Sequence, residues 1–309
     1  MLAALLLLLL AQPPPQRAAE LAASGWRHYE AGRLDEAERD LGEAAKLAPA
    51  NASVALALGQ TLLSAGKPKL AIPQLERAAR GLGNPADIRF TIAQAYQALD
   101  DDARALQTLA GELPPAPLRA PWLFTRGFSL FRLGRFDAAE TVFGSLLKYR
   151  EMTAPADFFL ANCAYARGNY AASLPLYDKA IAAGDVPGNR ALNAYYYNRG
   201  LAFFQLRKFE EAAQSFSKSI ERYARDAMPH MFLGRCYSEL GKPNEAIEEL
   251  ERSIALEPGF RLANYQLGRL YLQSGDKLRG EELFRKVEAL RGAELAKEED
   301  LARRLKVGR

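Results

Sequence analysis

The side chains able to make and break bonds are few in this chain of 309 residues: two histidines, two cysteines and one acidic run, Asp100, Asp101 and Asp102. A metal centre needs three or four donors converging on one point. His28 and His230 stand far apart, each without a second histidine nearby. Cys163 and Cys236 have no histidine beside them in sequence, so neither has the base that activates a thiolate nucleophile. They read as small buried hydrophobes, too far apart to form a disulfide. No phosphate loop, dinucleotide turn or G-x-S-x-G is present. The three aspartates suit a turn and a helix N-cap. The sequence therefore predicts no catalytic residues, no metal site and no cofactor, and hence no enzyme.

The elements that would position a binding site are announced by a fixed beat. Gly32, Gly66, Asp100, Gly134 and Gly168 fall 34 residues apart, and after one step of 39 the beat resumes at Arg207, Gly241 and Gly275. Seven residues before each stands Gly25, Gly59, Ala93, Gly127, Ala161, Gly200, Gly234 or Gly268. Five residues after stands Ala37, Ala71, Ala105, Ala139, Ser173, Ala212, Ala246 or Gly280. Small residues at fixed offsets let two helix backbones approach closely, and a period of this length marks a solenoid.

The stretch from Ala227 resembles the tetratricopeptide repeat, with Leu233, Gly234 and Tyr237 on a first helix, Ala246 on a second and Pro258 closing the unit. Gly25, Ala37, Ala44 and Pro49 give the first repeat the same look. The resemblance implies an all-α, right-handed α-solenoid of helix-turn-helix repeats. Eight repeats, starting near 18, 52, 86, 120, 154, 193, 227 and 261, would fill residues 17–292, with a capping helix and tail over 293–309. Arg126 and Arg199 in place of Leu, and Gly280 in place of Ala, are local departures. Pro114, Pro115, Pro117 and Pro121, and the insertion around 185–190, predict hinges after the third and fifth repeats.

The net charge of +4 is spread thinly until Arg303, Arg304, Lys306 and Arg309, which Glu298, Glu299 and Asp300 precede as i, i+4 partners. That pattern predicts a solvated cap and no nucleic-acid partner. Met1 to Ala11 is apolar throughout and is followed by three prolines. It is too short for a stable membrane span, which takes about 20 residues, and suits the core of a signal peptide over residues 1–16. The expected location is periplasmic or secreted, or cytoplasmic if the leader does not function.

The resemblance further implies that first helices line a concave groove and face a protein or peptide partner. One first-helix position reads Ala22, Leu56, Phe90, Phe124, Phe158, Tyr197, Met231 and Tyr265, a ladder that suits packing and binding equally. Four residues on, the series Trp26, Gln60, Gln94, Phe128, Asn162, Leu201, Arg235 and Arg269 varies too much to answer one packing demand. A third series is mostly large and apolar, with Tyr29, Phe131, Tyr165 and Phe204 among its members. Asn162 and Asn198 match two positions of the family's dicarboxylate clamp, but Phe158, Met228 and Phe232 replace its basic residues, so that clamp is predicted absent. Arg235 and Arg269 either capture a partner's carboxylate or pair with a glutamate such as Glu239. The expectation is a non-catalytic scaffold for an extended peptide or partner helix, exported and serving assembly of an envelope, secretion or respiratory complex. The alternative is a cytosolic regulatory sensor that responds to a peptide.

Overall fold

The computed structural model describes the backbone of residues 14–186 and 188–307 and the side chains of 16–186 and 188–297. Most of the expected leader and the charge pairs expected beyond residue 297 lie outside these described residues. Among them every regular element is helical. The hairpins are α1 (Pro14–Glu30) with α2 (Leu34–Leu47), α3 (Ala52–Ser64) with α4 (Pro68–Gly81), α5 (Ala86–Gln97) with α6 (Asp102–Thr108), and α7 (Arg119–Arg132) with α8 (Phe136–Leu146). After a 3-10 turn at Arg150–Met152 come α9 (Thr153–Ala166) with α10 (Tyr170–Gly184), α11 (Leu192–Gln205) with α12 (Phe209–Arg222), α13 (Ala227–Glu239) with α14 (Pro243–Leu256), and α15 (Arg261–Gln273) with α16 (Lys277–Val307).

Each first helix stops in the same way, and the stop explains the beat. The residue at the beat takes a left-handed backbone, and the next N–H reaches back five residues to a carbonyl, as Arg33 does to His28 and Lys242 to Tyr237, both at 2.9 Å. This is the Schellman C-cap, in which glycine suffers no Cβ clash. Asp100 (φ 59°) and Arg207 (φ 58°) hold that conformation without being glycine, which costs on the order of 1 kcal/mol each and more for Arg than for Asp.

The small residues seven positions earlier are notches for knobs on the second helix. A Cβ on Gly59 would lie 2.7 Å from the Leu75 side chain, one on Gly127 2.8 Å from Phe143, and one on Gly200 2.7 Å from Phe216. The knobs Leu41, Leu75, Leu109, Phe143, Tyr177 and Phe216 are fully buried, and Leu250 almost so. Where a repeat offers a glycine notch or Ala161, the knob can be aromatic, which fills the centre of the fourth to sixth hairpins with rings.

The chain divides into two compact units, residues 1–149 and 150–309. The division falls after the fourth repeat, whereas the sequence predicts hinges after the third and fifth. The third joint is tied across: Gln97 donates to the Thr125 carbonyl (3.0 Å) and to Ser129 (2.7 Å). Arg132 also pairs with Asp100 and Asp102, and Trp122 is fully buried in the first unit's main cluster. The insertion after the fifth repeat is pinned by Asn189 on the Gly184 carbonyl (2.7 Å) and by an Arg222–Asp185 pair (3.0 Å). A second correction concerns the C-terminus: α16 runs unbroken for 31 residues, so the second helix of the eighth repeat and the expected cap are one helix.

Candidate partner-binding face

Within each unit the first helices form the tighter side of the stack. α1 touches α3, α3 touches α5 and α5 touches α7 in the first unit; α9 touches α11 and α13 touches α15 in the second. The predicted residues lie on these first helices and fall into three groups.

The ladder from Phe90 to Tyr265 is engaged in packing. Phe124 meets the knob Phe143 edge-on at 6.0 Å, Tyr197 meets Phe216 at 5.8 Å, and Tyr265 meets Phe284 at 5.5 Å. Phe158 stacks on Tyr195 of the next first helix at 4.6 Å, and Phe90 on Trp122 at 6.4 Å. Met231 is fully buried in a cluster with Leu250 and Leu267, which corrects its assignment to the binding face: an unbranched thioether fills a core gap there. Burial pushes the Tyr197 hydroxyl's pKa well up.

The third series rests on the start of the second helix in its own hairpin. Phe131 packs on Phe136 at 5.7 Å, Tyr165 on Tyr170 at 5.1 Å and Phe204 on Phe209 at 5.5 Å. Tyr29 stacks on Trp26 at 5.1 Å, and their partners are Ser64 and Glu30.

The variable series is where side chains differ most in environment. Gln94 is exposed, Gln60 is half-buried, and Arg132 lies 5.8 Å over the Phe128 ring. Asn162 accepts a 2.7 Å bond from the Tyr177 hydroxyl, and Asn198 donates to the Ala194 carbonyl of its own helix at 2.8 Å. Each asparagine thus has one polar atom committed within the fold.

Arg235 packs on two rings. Its guanidinium lies 4.5 Å over Phe204 and 5.4 Å over Phe232, half-buried. Glu239 is turned instead to Arg207, at 3.7 Å, so the expected alternative of an Arg235–Glu239 pair is not formed. Arg235 and Arg269 line one small cleft with Ser238, Gln266 and Gln273. Neither makes an ion pair with a described carboxylate. Burial pulls the Arg235 pKa down, with Cys236 and Glu239 nearby pushing it up and Arg269 adding a smaller downward pull. Two guanidinium groups lining one cleft, neither of them in an ion pair, suit a carboxylate at its mouth.

A buried polar network was not foreseen. His230 Nδ1 lies 2.6 Å from Glu249, which also pairs with Arg252. The signal was available, since Glu249 stands at a core-facing position of α14 one residue before the knob Leu250. Both cysteines are buried, and burial pushes the Cys236 thiol up to about 12. Among the described residues no group of three His, Cys, Asp or Glu is placed to hold a metal, and no helix is long and apolar enough to cross a membrane.

Stacked helical hairpins with a first-helix face of mixed polarity define a helical-repeat interaction scaffold. The tetratricopeptide repeat pattern matches residues 22–87, 124–187 and 233–294, and a second form of it matches 194–226. The chain belongs to the tetratricopeptide repeat family. It is 32% identical over 62 residues to Hsp70-Hsp90 organizing protein 3 of Arabidopsis thaliana, a match to 20% of this chain and 11% of that protein's length. The chain thus matches about a tenth of that relative. Among solved structures, a tetratricopeptide repeat protein from Parabacteroides merdae superposes with a TM-score of 0.64 at 22% identity, covering 83% of this chain and 99% of that one. The Cut9-Hcn1 hetero-tetramer of the APC/C gives 0.61 at 18% identity, covering 83% and 48%. These likenesses concern the fold.

Proposed function

We propose that this chain is a non-catalytic scaffold that holds an acidic segment of a protein partner, an extended peptide or a helix, against its first-helix face. The observation that carries the reading is Arg235, stacked on Phe204 and Phe232 beside Arg269, with neither arginine in an ion pair with a described carboxylate. Aromatic and Asn side chains along the same face supply apolar contact and amide hydrogen bonds to a backbone. The apolar run Met1–Ala11 suits export, and assembly of an envelope, secretion or respiratory complex is the setting we propose.

The test is charge reversal of Arg235→Glu with Arg269→Glu, followed by crosslinking in the native cell. Each charged contact contributes about 1.5 to 3 kcal/mol, so the double reversal weakens partner binding at least a hundredfold while the far-UV circular dichroism stays as in wild type. Unchanged partner recovery would remove the proposal. For location, N-terminal sequencing of the cellular protein decides: a mature chain lacking the leader supports export, and a cytosolic chain beginning at Met1 overturns it.

A further inference from the structure

The first unit holds a cavity lined by α4, α5 and α6, the last of them a short helix. α6 has 7 residues where α2, α4, α12 and α14 each have 14. Gly111, with a left-handed backbone, and the prolines at 114, 115 and 117 cannot continue it. Between α4, α5 and α6 lies an open cavity of about 520 Å³, the equivalent of one of about 440 Å³ between α2, α3 and α4, and the early stop of α6 brings Ala110 into its wall. That size suits a small organic molecule.

Its floor is apolar, formed by Ala79, Ile92 and the Tyr96 ring, and its walls carry three guanidinium groups, Arg80, Arg89 and Arg104. Arg104 lies 5.0 Å over the Tyr96 ring and pairs with Asp101. Arg89 donates to the Ala110 carbonyl (3.0 Å) at the broken end of α6, lies 5.0 Å over Trp122, and keeps a buried Nε without an acceptor. Arg80 makes no ion pair among the described residues, and the one carboxylate in the wall, Glu76, accepts from the Tyr96 hydroxyl at 3.1 Å.

The eighth repeat separates what is scaffolding here from what is not. It carries the same constellation 175 residues later: Tyr271 donates to Glu251, and Arg279 lies over the Tyr271 ring and pairs with Asp276. Tyr96, Glu76, Arg104 and Asp101 are therefore a recurring clasp between hairpins. The positions that differ are the remaining wall: Arg80, Arg89 and Gln107 correspond to Ala255, Asn264 and Glu282. There Asn264 is fully buried and bonded to the Phe260 carbonyl at 2.8 Å. Relative to the eighth repeat, the third adds two cations to the clasp and replaces the acid of Glu282 with the amide of Gln107.

We infer that this cavity binds a small organic anion, a phosphate or carboxylate group on a compact apolar body, with Arg80 and Arg89 on the anionic group and Ile92 and Tyr96 beneath the body. The site is separate from the proposed partner face and stands or falls without it. The test is calorimetric titration of the full chain at low salt with phenyl phosphate, benzoate and neutral benzyl alcohol. Phenyl phosphate, benzoate or both bind with Kd on the order of 1 mM or tighter, and the stronger of the two names the anionic group. Arg80→Glu, at an exposed position, weakens binding at least tenfold with unchanged helical content, and Arg89→Gln gives a second, independent loss. Absence of binding by both anions, equal binding of benzyl alcohol, or full binding by both variants overturns the inference.

Discussion

Gly59 shows how much one missing methyl group decides. Its notch is filled by Leu75, and an added Cβ would meet that side chain at 2.7 Å. Ala93 and Ala161 occupy the same position opposite Leu109 and Tyr177, whereas at Gly59 the added methyl would meet the Cγ and backbone of the fully buried Leu75. Gly59→Ala accordingly destabilises by about 1 kcal/mol, the overpacking exceeding the roughly 1 kcal/mol gained in helix propensity. Gly59→Val costs about 2 to 3 kcal/mol. Gly42, in α2 with open space around its Cβ position, gains about 0.4 to 1 kcal/mol on change to Ala. Urea unfolding of the three variants checks the order. The same scale explains what the sequence hid at the binding face. Phe158 and Met231 share a repeat position with Tyr265, yet Met231 is fully buried while Tyr265 is 41% exposed. Equivalent letters in a repeat acquire different surroundings because each is covered by a different neighbour, and the period carries no record of that neighbour's size.

At the scale of elements, the period predicts the hairpins well because each turn has a local chemistry. The left-handed C-cap and the knob-in-notch contact both act within one hairpin. Joints between hairpins are harder to read, since prolines mark where a helix stops but not what ties the next one down. At the third joint the tie is Arg132, which pairs with the buried Asp102 and with Asp100. Removing it by Arg132→Leu leaves a buried carboxylate uncompensated, at a cost of about 3 to 5 kcal/mol. Adding Asp102→Asn returns part of that loss. A double-mutant cycle in urea measures the coupling, and additive losses would show that Arg132 does not act through Asp102.

For the whole molecule, the division at residues 149 and 150 sets the expectation. Contacts in a repeat protein are to near neighbours, so a break in packing becomes a break in cooperativity. Residues 14–149 and 150–309, produced separately, each retain a helical spectrum and a cooperative melt. Both tryptophans, Trp26 and Trp122, lie in the first unit, so their fluorescence in the full chain follows that unit alone. Loss of helix in either isolated half would show that the two fold only together. The sequence by itself determined the hairpins, their number and their phase, because caps, notches and knobs are set by residues close along the chain. Tertiary structure alone decided which apolar rings are covered, that Arg235 makes no ion pair while Glu239 is turned to Arg207, and that three guanidinium groups meet around one cavity. Those outcomes depend on which side chains of separate hairpins arrive at the same place, and a 34-residue beat is silent on that.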